Sequence, residues 1–345
     1  MELLNHIFFQ TYCGEIIDWY IKGRVQSYFS LELVSNGGDI HFYMNIPAFF
    51  KDLMETQIYS QYPEVEVFQV EDYTKEVVFG VPNAEWDIAG WEFKLDKPDA
   101  YPIKTYFDYG LESNPKEEFK IDPMTPMLEF LGSINANERV WFQIMITATK
   151  KRFSAPFKWG DPSTWWAEKK DWKDDVRKEI DKVLKRDKKA DMAESFTKLI
   201  PSSSERMLAE AMERASGKLA FDTGIRALYC AKGGKGIRPI VKVGVANSIK
   251  QFGAPGMNTI KTALTSGYDN PWQDFRNIRK LRLQKKFFKN YLLRSYFYPP
   301  ASKKPMILTS EELATIYHLP GLVATTPTLS RIPSKRGEPP INLPT

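Results

Sequence analysis

Cysteine and histidine are scarce in this 345-residue chain, and each shortage excludes a class of chemistry. Two cysteines, Cys13 and Cys230, leave no disulfide framework and no cysteine-based zinc cluster. Three histidines, His6, His41 and His318, lie far apart without HxH or HxxxH spacing, so neither a metal site nor a nucleophile–base pair is indicated. No G-x-x-x-x-G-K-[ST] loop occurs. Gly233-Gly-Lys-Gly236 is rich in glycine but reads as a flexible connection, and Ser216-Gly-Lys218 is followed by Leu219 rather than by a hydroxyl residue. No G-x-S-x-G presents a serine. No apolar run approaches the roughly 18–20 residues of a membrane span, and the opening stretch, with Glu2, His6 and Glu15, is not a signal peptide. The expectation is a chain without a catalytic site, metal or cofactor, in a cytoplasmic and reducing compartment.

Charge is plentiful and unevenly placed. Residues 1–147 carry 10 Lys or Arg against 24 Asp or Glu, and residues 148–345 carry 38 against 19. A split of this kind suits a basic half that faces a polyanion, a membrane surface or an acidic partner, or two halves that neutralise each other.

The apolar pattern predicts an α+β fold. Tyr28–Val34 alternates, Asn36-Gly-Gly38 supplies a turn, and Ile40–Met44 returns as a second strand. Pro47 opens a helix through Phe50, Leu53, Met54, Gln57, Ile58 and Gln61; Pro63 ends it, and Val65–Val70 reads as a third strand. A similar order recurs: a strand at Arg139–Ile146, a charged helical insertion over about 150–200, a helix from Ser204 to Gly217, a strand at Phe221–Cys230 and a helix at Ile240–Phe252. Two ferredoxin-like (split βαβ) units are therefore expected, an acidic one over 1–125 and a second over 126–266. A basic aromatic helical segment follows at 267–305, then a short helix and a proline-rich arm at 306–345.

Between Arg276 and Lys304 there is no acidic residue. Arg276, Arg279, Lys280, Arg282, Lys285, Lys286, Lys289 and Arg294 are candidate contacts for nucleic acid or another anionic partner, with Phe287, Phe288 and Tyr291 interleaved. The same pattern suits a helix whose aromatic side packs on the protein while its lysines meet water or anionic lipid. In the last segment, Leu313, Ile316 and Tyr317 share one helix face after a Thr309/Ser310 cap. They and His318 are candidate docking residues for this chain's core or a neighbour, and Lys335 and Arg336 are candidates for meeting acids at a subunit interface.

Three strings go beyond composition: Phe29–Ser35 with Ile40–Tyr43; Glu55–Pro63 with Val65–Val67 and Glu71–Thr74; and Leu308–Pro320 with Ser334–Pro344. Together they resemble the α+β region that precedes the motor domain in type IV secretion and conjugation ATPases of small-genome bacteria. The resemblance implies a non-catalytic assembly or docking module of a DNA-transfer or membrane-associated motor. The chain reaches Thr345 before any Walker motif, so the expectation is either a P-loop ATPase on a separate chain or a sequence that is a fragment of a longer protein. Self-association into a ring, direct contact with DNA and an indirect, peripheral place at the inner face of the cell membrane are the accompanying expectations. Direct nucleic-acid binding through 276–304 is the alternative.

Overall fold

A computed structural model describes residues 26–62, 65–81, 85–110, 122–149, 152–153, 169–184, 201–233, 236–267, 272, 274 and 277–319. The proline-rich arm, Arg276, Lys335, Arg336, His6 and Cys13 lie outside them.

The expected hairpin forms from β1 (Phe29–Asn36) and β2 (Asp39–Asn45), with Gly37 and Gly38 at φ +67° and +95°. Helix α1 (Lys51–Gln61) follows a short turn after Pro47. Val65–Val70 is not a strand. Its Val67 amide donates to the Tyr59 hydroxyl of α1 at 3.4 Å, and Phe68 and Val70 stay exposed, so the alternation here does not mark a buried strand face. The chain continues through β3 (Trp86–Leu95), α2 (Thr125–Gly132), β4 (Glu138–Ala148) and the two-residue pair β5 (Arg152–Phe153) and β6 (Lys169–Lys170). The charged insertion holds α3 (Trp172–Val183), opened by a capping box between Asp171 and Asp174. Then come α4 (Ser203–Ser216), β7 (Ala220–Lys232), α5 (Pro239–Ser248), β8 (Ile260–Thr265), α6 (Ile278–Leu292), β9 (Met306–Thr309) and α7 (Ser310–Ile316). Gly217 ends α4 at the expected place, but with φ −74° rather than in a left-handed cap.

The α+β class is as expected. Strands from both expected units are shuffled into one antiparallel sheet of order β2-β1-β4-β7-β3-β8. Beyond β4, the other edge of β7 is divided between β3 along Ile225–Lys232 and β9 along Ala220–Thr223. Because β4 and β7 sit between β1 and β3, the long apolar strands of the second half form the middle of the sheet, where both faces are covered.

One face carries Leu31, Leu33, Phe142, Ile144, Phe221, Ile225 and Tyr229, and packs against α2, α5 and α7. The opposite face, with Val34, Trp141, Leu228, Cys230 and Ile88, receives Phe287, Phe288 and Tyr291 of α6. Two glycines admit this layer. A Cβ on Gly90 would lie 2.8 Å from the Phe287 ring, and one on Gly224 would lie within 2.5 Å of three atoms of the Tyr296 ring.

Candidate functional site

The register of the sheet assembles a polar row that no single strand reveals. Glu32 on β1 stands opposite Gln143 on β4, Gln143 opposite Arg226 on β7, and Arg226 opposite Glu92 on β3. Side chains alternate between faces, so these four share the face beneath α6. Glu32 is 1% exposed and Arg226 2%.

Burial of this kind is tolerated only when the polar groups are paired. The Glu32 carboxylate accepts from Ser30 Oγ and Gln143 Nε2, both at 2.6 Å, from the Tyr73 hydroxyl at 2.7 Å and from Arg294 Nε at 2.9 Å. Gln143 turns its amide oxygen the other way and accepts from Arg226 Nε at 2.7 Å. Arg226 Nη1 in turn donates to the Ser295 carbonyl at 2.9 Å. Lys303 reaches Glu92 at 3.0 Å. The row thus fastens the whole segment after α6 to the sheet, at Arg294, Ser295 and Lys303.

Titration follows the same pattern. Burial pushes the Tyr73 and Tyr291 hydroxyls well above their usual range, so both remain hydrogen-bond donors or acceptors without charge. Burial lowers Arg226 to about 10, which leaves it cationic at neutral pH. Burial disfavours ionised Asp72, but hydrogen bonds from Arg294 and Thr74 outweigh it and bring the carboxyl down to about 2. At the Asp72 end the row opens into a shallow cleft of about 130 Å³, walled by Tyr43, Tyr73, Glu71 and Arg294.

Over this row lies the outward side of α6. Arg279, Arg282, Lys285, Lys286 and Lys289 recur at three- and four-residue steps, all exposed and all on the side opposite Phe287, Phe288 and Tyr291. Lys280 is turned partly inward. Asp274 anchors the start of the helix, accepting from the Arg279 amide at 2.8 Å and the Lys280 amide at 2.6 Å. Among the described residues, Arg282, Lys285, Lys286 and Lys289 have no ion-pair partner. Arg294 differs from its neighbours in the sequence. It bridges Glu32 and Asp72, so it is an internal strut and not a surface contact. The interleaved aromatics are likewise turned to the sheet, which removes them as stacking platforms for unpaired bases.

The short helix α7 docks on its own chain. Of the two docking alternatives, this chain's own core is the one that buries Leu313, Ile316 and Tyr317. His318 pairs with Asp122 at 3.0 Å. The polar residues of Glu311-Glu-Leu-Ala-Thr315 clamp a neighbouring stretch: Ile103 N donates to Glu312 Oε1 at 2.9 Å, Thr105 Oγ1 to Glu311 at 2.5 Å, and Tyr106 N to Thr315 Oγ1 at 3.1 Å.

Among the described residues, no group of three or more His, Cys, Asp or Glu is placed to hold a metal ion, and no helix is long and apolar enough to cross a membrane. Residues 19–331 match a family described as Domain of unknown function (DUF8128), and the chain belongs to that family. No curated protein and no solved structure matches it.

Proposed function

We propose that this member of the family is a non-catalytic docking module, and that the outward basic face of α6 is its working surface. One observation carries the reading. The helix is held on the sheet by its buried aromatics and by the polar row, while Arg282, Lys285, Lys286 and Lys289, without ion-pair partners among the described residues, face outward. Cations placed on a rigid element, with no acid between Arg276 and Lys304, form a standing attraction for an anionic surface. The resemblance of the three strings supports a motor of the type IV secretion kind as the machine this module serves.

Heparin, a simple polyanion, tests the surface. The full chain is expected to be retained and to elute only at raised salt, whereas K285E/K286E/K289E elutes much earlier. These three side chains are exposed, so the variant is expected to keep its melting temperature. Equal retention of the two proteins would place the working surface elsewhere.

A further inference from the structure

The cations of α6 do not stand alone. Ile278 is 58% exposed and Leu281 45% exposed on the same outward side, towards the start of the helix. A second segment adds to the patch. Phe79 packs edge-on against the Phe288 ring at 6.0 Å, and the Lys285 stem lies so close to Gly80 that a Cβ there would come within 2.9 Å of its Cε. Val78 and Val81, each about half exposed, are therefore set beside Lys285.

An all-cation ridge would suit the phosphates of a nucleic acid, which lie at a polar, hydrated surface. Apolar groups among those cations gain little there, because a hydrated phosphate backbone offers them no apolar surroundings. The boundary of an anionic bilayer satisfies both kinds of side chain at once. Ile278, Leu281, Val78 and Val81 enter the headgroup region, while Lys and Arg extend their stems and leave their charges at the lipid phosphates. The rings of α6 itself argue in the same direction, because they are buried against the sheet and offer no stacking surface to an unpaired base.

From this we infer that the outward face of α6, with the Val78–Val81 segment beside it, docks directly on an anionic phospholipid surface. The inference rests on the docking reading above and names the partner of that surface. Each Lys or Arg near such a surface contributes about fivefold in affinity, so the charge cluster and the apolar side chains are separable by mutation.

Co-sedimentation of the full chain with vesicles tests it. One set is phosphatidylcholine alone, and in the other about a third of the lipid is phosphatidylglycerol. The wild-type chain is expected to partition at least tenfold more strongly onto the anionic vesicles. K285E/K286E/K289E is expected to lose about a hundredfold. I278S/L281S is expected to lose about tenfold on vesicles and to keep full retention on heparin. Circular dichroism and melting temperature would confirm that both variants are folded. Equal partition onto the two vesicle types, or undiminished vesicle binding by I278S/L281S, overturns the inference. A wild-type chain that ignores vesicles but binds fluorescein-labelled duplex DNA through the same lysines also overturns it, and leaves the docking reading standing.

Discussion

Replacing Arg294 with Met is expected to cost about 3–5 kcal/mol of stability, the range for removing one partner of a buried ion pair. The size follows from what is left behind. Glu32 is 1% exposed, and Arg294 is the cation in direct contact with it. Ser30, Gln143 and Tyr73 would still donate hydrogen bonds, but none supplies a positive charge. Arg226 is committed to Gln143 and Ser295 instead. The loss also releases Asp72 and the start of the segment that Ser295 and Lys303 hold further along. Urea unfolding at neutral pH measures the effect, and the double variant E32Q/R294M is expected to recover a large part of it, because the stranded charge is then gone. A single-variant loss below about 1 kcal/mol would show that the row is solvated and not a structural network.

The second large effect is expected at Glu312. This fully buried carboxylate closes the N-terminus of α7, accepting from the Thr309 amide and hydroxyl at 2.8 Å, and it also accepts from Ile103 N. Leucine there leaves two buried amides without partners, at about 1–3 kcal/mol each, so a loss of about 3 kcal/mol or more is expected. Glutamine retains one acceptor and serves a different purpose. Burial pushes the Glu312 carboxyl up to about 7, against the opposing hydrogen bonds from Thr309 and Ile103, with the Glu311 carboxylate adding to the rise. Around the pair stand Arg214, which bonds Glu311 at 3.3 Å, and Asp108, which Arg214 also holds.

A carboxyl raised in the folded state binds its proton more tightly there than in the unfolded chain. Its contribution to stability is therefore present at acid pH and falls away as pH rises from 4.5 to about 7. Asp72 and Asp122, both lowered, have the opposite sign and lose their contribution only at more acid pH. Unfolding midpoints between about pH 5 and pH 8 should thus decline in the wild-type chain and flatten in E312Q. Parallel slopes in the two proteins would remove Glu312 from this role.

Much of the secondary structure was legible in the sequence because it rests on local patterns. The Asn36-Gly-Gly38 turn, the strand at 221–230 and the one-sided spacing of α6 all depend on residues a few positions apart. The polar row depends on register between strands that are distant in the chain. Glu32, Gln143, Arg226 and Glu92 each stand directly between two apolar residues of a strand, which is the available signal. Which strands are neighbours, and hence that the four line up, emerges only from the topology. For the same reason the sequence pattern places Arg294 among the surface cations, although its partners lie on β1 and beside Tyr73. The roles of the Glu311–Thr315 string depend on topology in the same way. Its polar side chains are used within this chain, on Ile103, Thr105 and Tyr106.

Lysine-reactivity footprinting tests the central claim most directly, because it maps the surface without mutation. The full chain is acetylated briefly with and without anionic vesicles, and modification is read by mass spectrometry at each lysine. Lys285, Lys286 and Lys289 are expected to become protected, while Lys75, exposed beside Glu71, keeps its reactivity. Protection at Lys75 with none on α6, or reactivity unchanged throughout, would contradict the account.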